Sequence, residues 1–450
     1  MPKQITKGDN APMNNVILNT FDLKDKNIIF DGKLEKIEYK GRKCFFYYAK
    51  LIYTPEVCPN CNCKNINGNL IKNGSKTSRI TMPKISEYPT YIMLRKQRFK
   101  CKTCERYFTA ETPEVDKYCF ISKKTRSAVL NKAAEIRSEK SIAKSCSVSA
   151  TTVSRIIDEA AQSLHQSPYS ALPEHIMMDE FKSVKNVSGK MSFIYADAQT
   201  HHIIDIVEDR RLSELKKYFY RFSLKARKRV KTVSIDMHEG YMTLIKEMFP
   251  NAKIVIDRFH IVQLLNRALN GIRVTVMNEL RTTNQPLYNK FKRYEKLLLK
   301  PEEDLEAFEY RKVALFKEWK TQKGIVKYLL DQDDSLNDAY QYINQLRFKL
   351  KHNDYEGFIH ELKHMPLSQT HSVVQRAIKT LNKHVYFIKN TFDYYNLSNG
   401  PLEDINNKIK LIKRTSFGYG SYNHLRNRIL LCSKLYAPKS KKEVKQCLVA

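Results

Sequence analysis

Between residues 175 and 257 the chain switches repeatedly between short apolar runs and stretches of helical period, and few folds accommodate such a switch. Strand candidates are 175–184, 191–198, 201–208, 230–236 and 252–257, with helix candidates Leu212 to Phe222 and Tyr241 to Phe249 between them. Runs of this length rich in Ile, Val, Met and Phe read as buried strands. Two strands in hairpin order, then strand–helix–strand units, predict a mixed α/β sheet covered by helices.

Two of these strands end in an acid. Ile176-Met177-Met178 runs into Asp179, and Val233-Ser234-Ile235 into Asp236. A carboxylate at the end of a buried strand loses hydration unless something positive stands beside it. A third acid, Glu403, follows the turn Ser398-Asn399-Gly400-Pro401 and opens a helix rich in Lys and Arg. Three carboxylates brought together would hold divalent metal, since hard cations prefer oxygen ligands. In a ribonuclease-H-like sheet the first and fourth strands each supply an Asp and a packed helix brings the third acid. The order here fits.

Asp404 competes with Glu403. Asn407 and Lys410 fall four and seven residues after Glu403, on its own helical face, so a metal-binding Glu would share that face with a phosphate-binding Lys; the equivalent of Lys410 for Asp404 is Leu411. Glu403 is therefore the choice. Asp257, in Ile256-Asp257-Arg258-Phe259-His260, reads as a helix cap before it reads as a fourth ligand. Asp197 and Asp205 are assigned to a hairpin turn, and Glu180 to the opposite strand face from Asp179. His238 and His260 could touch phosphate or the leaving group but read as structural first, and the single tryptophan, Trp319, reads as core before it reads as a base-stacking residue.

The balance of 79 Lys and Arg against 47 Asp and Glu, spread along all 450 residues, leaves +32 and points to a polyanionic partner. A chain this long is expected to form several domains. No stretch approaches ~18 apolar residues, which argues against a spanning helix, and the N-terminal residues lack a secretory layout. Ten cysteines then suggest metal more than disulfides. Cys58-x-x-Cys61 and Cys101-x-x-Cys104 suit two turns closing a tetrahedral structural zinc site; the 39 residues between them require a hairpin, and Cys63 offers an alternative ligand. Residues 141–157 have helix-turn-helix rhythm. Ala143 sits at the helix crossing, Val148 plugs the turn, Ser149 caps, and Val153, Ile156 and Ile157 pack inward. Ala150, Thr151, Thr152, Ser154 and Arg155 would face a DNA groove.

The domain reading is an N-terminal segment 1–54, a zinc-binding module 55–115, a helix-turn-helix domain 120–165, a first core part 174–258, a helical insertion 259–392, a last core part with the Glu helix 393–436, and a basic tail 437–450. The insertion is read as all-helical, with stretches such as Leu287 to Leu299 and Leu305 to Trp319. Taken together, the cysteine pairs, the helix-turn-helix, Asp179, Ser234-Ile235-Asp236-Met237-His238-Glu239-Gly240-Tyr241, Ile256-Asp257-Arg258-Phe259-His260 and Ser398-Asn399-Gly400-Pro401-Leu402-Glu403 resemble bacterial insertion-sequence transposases, nearest to the ISL-three type of Asp-Asp-Glu transposase.

That resemblance implies a ribonuclease-H-like core interrupted by a helical insertion, with Asp179, Asp236 and Glu403 as ligands of two Mg2+ ions. It implies cleavage at terminal inverted repeats and strand transfer to target DNA, with Lys408, Lys410, Lys413 and Arg414 near the scissile phosphate. It further implies a homodimer holding two ends, and a cytoplasmic, nucleoid-associated place in a bacterium. The family pattern has a small residue where Asp404 stands. The competing readings are a non-catalytic DNA-binding regulator and a ribonuclease-H-like nuclease or resolvase.

Overall fold

The computed structural model describes residues 11–164, 169–365 and 370–437. The expected basic tail lies outside these from residue 438 onward. The chain divides into two compact units, residues 1–166 with 409–433, and 167–408 with 434–450.

The first unit begins with α1 (Ala11–Thr20) and a five-stranded sheet of β1 (Ile28–Tyr39), β2 (Arg42–Leu51), β3 (Leu70–Ile85), β4 (Tyr88–Cys101) and β5 (Tyr107–Thr109). Its order is β1-β2-β4-β3, with β5 on β4. Tyr39 pairs with Arg42 across Lys40-Gly41, and both turn residues have positive φ, the two-residue hairpin whose twist matches its strands. β3 and β4 form the hairpin required between the cysteine pairs. Three helices follow, α2 (Lys123–Ala133), α3 (Glu139–Cys146) and α4 (Ala150–Leu164). They close on Val129, Ile142, Ala143, Val153, Ile156 and Ile157, all buried. Ser147 ends α3 in the left-handed conformation, and the Ser149 hydroxyl accepts the Thr152 N–H to open α4.

The second unit holds β6 (His175–Lys182), β7 (Met191–Asp197), β8 (Ile203–Val207), α5 (Leu212–Phe219), α6 (Leu224–Lys228), β9 (Thr232–Ile235), α7 (Glu239–Met248) and β10 (Lys253–Ile256). Its sheet runs β10-β9-β6-β7-β8, with β10, β9 and β6 parallel and β7 and β8 antiparallel. The alternating apolar and helical stretches thus form a mixed α/β layer. Leu215, Phe219, Leu244, Ile245 and Met248 bury the apolar helix faces in one core with strand residues such as Ile176, Val233 and Ile254. Asp197 accepts from Gln199 N and Thr200 Oγ1, as a turn acid should. Asp205 accepts the hydroxyl of Tyr218 at 2.6 Å.

Helices then dominate: α8 (Arg258–Thr283), α9 (Gln285–Arg293), α10 (Glu295–Leu298), α11 (Gln322–Leu330), α12 (Asp334–Lys351), α13 (Tyr355–His364), α14 (Ser372–Lys383), α15 (Val385–Asp393) and α16 (Gly400–Thr415). Two expectations fail here. The helix predicted from Leu287 to Leu299 breaks at Tyr294 into α9 and α10. The helix predicted from Leu305 to Trp319 does not form; β11 (Arg311–Lys312) pairs antiparallel with β12 (Trp319–Lys320), so the insertion is not all-helical. Tertiary capture explains this. The Tyr294 hydroxyl donates to the Ala314 carbonyl, and Phe316 packs edge-on against Tyr328 at 5.0 Å, which pulls the middle of the segment inward in a shape no helix has. Trp319 is consequently 64% exposed and not a core residue.

After α16 comes α17 (Tyr422–Leu431), which packs on α4 in the first unit. The Arg428 guanidinium is buried and donates to the carbonyls of Ala133, at the end of α2, and of Glu135 (3.0 Å) and Arg137 (2.7 Å) in the segment that follows. His424 lies between Asp158 on α4 (Nδ1 to Oδ1, 2.8 Å) and Glu139 on α3 (Nε2 to Oε1, 2.6 Å). Among the described residues no helix is long and apolar enough to cross a membrane.

The hydrogen bond to Glu139, with Asp158 adding, raises His424 from its ordinary value to about 9. A raised imidazole stabilises the fold fully below its unfolded value near 6.5 and loses that contribution as pH rises through 9. Because the Asp158 side chain is 42% exposed, solvent screening reduces the contribution to about 1–2 kcal/mol. Urea unfolding of the intact chain should show wild type losing about this much, relative to His424→Gln, between pH 6.5 and pH 10. A difference that stays constant over that range would contradict the assignment.

Candidate active site and zinc site

Strand register places the acids. His175, Ile176 and Met177 of β6 pair with Thr232, Val233 and Ser234 of β9, and Ile235 of β9 pairs with Ile256 of β10. Two residues further on, Asp179 stands level with Asp236; one residue past Ile256, Asp257 stands level with Asp236 on the other side. Parallel neighbours lie about 5 Å apart and residues at one level face the same way, so the three acids form a row. Burial, with the charge of Asp236 adding, pushes Asp179 up to about 6. Burial also raises Asp257, which caps α8 through the Phe259 N–H at 3.4 Å.

α16 is fastened over this row by two asparagines. Asn399 Nδ2 donates to the Met178 carbonyl at 3.0 Å, and Asn406 Nδ2 donates to Asp179 Oδ2 at 2.7 Å. Glu403 lies between them in helical order, four residues after the one and three before the other, so it shares their side of the helix. Asp404 is turned a further 100° away. The Glu403 side chain is exposed. On the opposite face of β6, Glu180 accepts from Tyr241 and Arg210, away from Asp179 as expected.

The site has oxygens to spare. Asp236 Oδ1, Asn399 Oδ1 and Asn406 Oδ1 are buried without a hydrogen bond. The imidazole Nε2 of His260 closes on that Asp236 oxygen as an ion pair that lacks hydrogen-bond alignment. Burial opposes charge on His260, but Asp236, Asp257 and Asp179 together raise its value. Two buried amide oxygens without partners, beside mutually repelling carboxylates, make a donor set that suits a hard divalent cation. The acid row is looser than the cysteine site: among the described residues, the set whose ligand atoms all lie within 4.8 Å of one another is Cys58, Cys61, Cys63 and Cys101.

In that second site Cys58 and Cys104 sulfurs are 3.8 Å apart, Cys61 and Cys101 3.8 Å, and Cys63 and Cys101 3.4 Å. The Asn60 N–H points to the Cys58 sulfur, as in a turn built to present thiolates. The backbone N–H of Cys104 is the main influence holding Cys101 down at about 6, despite burial, and the Cys63 thiol adds to it. The mutually close set thus has Cys63 where the sequence spacing named Cys104, while the Cys104 sulfur stands beside Cys58 just outside it.

A transposase family profile matches residues 176–429, more than half of the chain. A second profile, for the zinc finger of IS204, IS1001, IS1096 and IS1165 transposases, matches residues 54–104. The chain belongs to the ISL3 family of insertion-sequence transposases. It is 25% identical over 253 residues to the transposase for insertion sequence element IS1001 of Bordetella parapertussis, covering 55% of this chain and 57% of that one. It is also 32% identical over 112 residues to a Lactococcus lactis subsp. lactis protein named an ATP-dependent protease, covering 25% of this chain and 35% of that protein. The chain thus spans about a third and a little over half of these two curated relatives.

Within this ISL3-family chain the remaining sequence candidates are placed as follows. On α4, Thr151 and Arg155 are exposed, with Arg155 3.9 Å from Glu159. Thr152 is held to Ser149 at 2.8 Å, and Ser154 donates to Glu139. On α16, Lys410 and Arg414 are exposed and follow Glu403 at helical repeats of seven and eleven, whereas Lys408 and Lys413 are half-buried on other faces. Sequence reasoning passed over Asn399, Asn406 and His260 as site residues. The signal was present: Asn399 and Asn406 flank Glu403 at −4 and +3, and His260 follows the cap Asp257 by one helical turn.

Two measurements test this geometry. Because Asp179 is raised to about 6, protons compete with a cation below that pH, so Mn2+ affinity measured by titration calorimetry should weaken about tenfold per pH unit below 6. A constant affinity from pH 5 to 7 would count against the acid row as a cation site. For zinc, ligands at ~2.3 Å in a tetrahedron stand ~3.8 Å apart, the separation of the Cys58–Cys104 and Cys61–Cys101 pairs but not of Cys63–Cys101. Zinc content should fall from one per chain to near zero in Cys104→Ser and stay near one in Cys63→Ser. The reverse pattern would make Cys63 the ligand.

Proposed function

We propose that this chain is a metal-dependent DNA transposase that cuts at the terminal inverted repeats of its element and joins the freed ends to target DNA. One observation carries the reading: the parallel register of β6 and β9 sets Asp179 beside Asp236, and Asn399 and Asn406 lay the Glu403 helix across them. The sheet order supports a ribonuclease-H-like core, with the first and fourth strands adjacent and parallel. Asp179, Asp236 and Glu403 would hold two Mg2+ ions. These ions would supply a nucleophilic water and stabilise the leaving oxygen of an in-line displacement.

The protein groups do the positioning. Asp179 and Asp236 are fixed by strand pairing, so their oxygens need little reordering. Glu403 is exposed, on a helix anchored at both sides of it, and is free to turn toward substrate. Cleavage breaks the P–O3′ bond at the element end and leaves a 3′-hydroxyl; in joining, that hydroxyl attacks a target phosphate and displaces a new 3′-oxygen, so the number of phosphodiester bonds is conserved. Lys408, Lys410, Lys413 and Arg414 on α16 supply positive charge for the backbone phosphates. The zinc module, with α3 and α4 as a helix-turn-helix reading through Thr151, Thr152, Ser154 and Arg155, would recognise the ends. Two copies would hold the two ends.

The test is strand transfer of a labelled terminal repeat by purified protein with Mg2+. Asp236→Ala should lower the rate about a thousandfold or more while leaving repeat binding in a gel shift unchanged. Asp404→Ala should stay within a few-fold of wild type, and Glu403→Ala should resemble Asp236→Ala. Repeat binding without any metal-dependent chemistry would favour a DNA-binding regulator, and cleavage indifferent to the repeat would favour a structure-directed nuclease.

A further inference from the structure

We propose that the β11–β12 hairpin is a stacking platform for unpaired DNA bases. This rests on the reading that the protein handles DNA ends, and it adds a site for the bases that end-processing leaves unpaired. The hairpin exposes the only tryptophan of the chain together with Phe308, 89% exposed, and Tyr310, 65% exposed. Three large exposed aromatic rings within one short stretch of chain mark a surface that suits a partner.

The register sorts the hairpin into two faces. Lys312 pairs directly with Trp319, so the two side chains leave the same face, and the exposed Tyr310 immediately precedes β11. Arg311 and Lys320 leave the other face. There Arg311 meets Glu309 at 2.6 Å, Lys320 meets Glu318 at 3.1 Å, and Lys320 lies over the Phe316 ring at 5.5 Å. The acids of the hairpin strands are therefore occupied on the back. The front carries the Trp319 ring and a lysine, with the exposed Tyr310 next in the chain, so a base stacked on Trp319 would have Lys312 near its phosphate.

The platform is also held in place. Phe316 packs on Tyr328 and Tyr294, Lys290 lies 4.5 Å over the Phe316 ring, and the Tyr294 hydroxyl ties down the Ala314 carbonyl. Rings on a fastened hairpin lose little freedom when a base stacks, whereas rings on a loose loop would lose much. Unpaired DNA is favoured over a protein partner because the front face combines flat aromatic area with positive charge in a chain of net charge +32.

A single tryptophan makes the test direct. Trp319 emission of the full-length protein, without divalent metal, should be strongly quenched by a short single-stranded oligonucleotide and much less by the same sequence as a duplex. By fluorescence anisotropy of a labelled single strand, Trp319→Ala should bind about tenfold more weakly and Trp319→Phe within about threefold of wild type, with duplex affinity equal in all three. Unchanged emission at saturating single strand, or equal single-strand affinity in Trp319→Ala, would overturn the proposal. So would an emission shift that follows protein concentration alone, since that would assign the face to a second copy of the chain. None of these readouts depends on catalysis, so they stand apart from the Asp236→Ala outcome.

Discussion

Pairing between β6, β9 and β10 is the constraint on which the candidate site rests. Three parallel strands buried on both faces have little freedom to slip, since a one-residue shift would exchange the two packed faces and destroy the fit of Ile176, Val233 and Ile254 with the helices. Once the register is set for hydrophobic reasons, Asp179, Asp236 and Asp257 must emerge level with one another. The electrostatic cost is evident in the upward shifts of Asp179 and Asp257. Packing energy, distributed over a large apolar core, holds together charges that would otherwise separate. A cation relieves the repulsion that the sheet imposes.

The second constraint is how a helix more than 200 residues beyond β6 in sequence reaches that row. Apolar contacts alone would leave α16 free to rotate, because Leu402, Ile409 and Ile412 offer only a smooth buried stripe. Hydrogen bonds from Asn399 and Asn406 to β6 fix both its position along the axis and its rotation. Amide side chains are well suited to this anchoring, because each satisfies a strand-end acceptor with its nitrogen and turns its oxygen into the same polar pocket. Asn406 also bonds directly to Asp179, so the anchoring residue and the candidate ligand share one network.

Much of this was legible in the amino-acid order, for stated physical reasons. Strands β6 to β10 announced themselves because a buried strand must be continuously apolar, and the acids stood out against that background. The zinc hairpin followed from the length of chain between the two cysteine pairs. Trp319 was misread because an aromatic residue in a mixed stretch carries no local sign of its exposure. Its place depended on Tyr294, Tyr328 and Phe316 competing for the same interior. Asn406 was hidden for a similar reason. A polar residue inside a lysine-rich helix reads as solvated until its partner, Asp179, is known.

The C-terminal helix shows a further limit of local reading. Nothing in Tyr422 to Leu431 states that Arg428 will satisfy the carbonyls of Ala133, Glu135 and Arg137, or that His424 will sit between Glu139 and Asp158. These contacts span nearly 300 residues, so closing them costs chain entropy that only many simultaneous bonds can offset. A buried guanidinium with three carbonyl partners is such a device, since half of it would be worse than none. The three-helix body of α2, α3 and α4 therefore lacks part of its own packing until the last fifth of the chain is present. Whatever α3 and α4 bind, their stability is tied to α17.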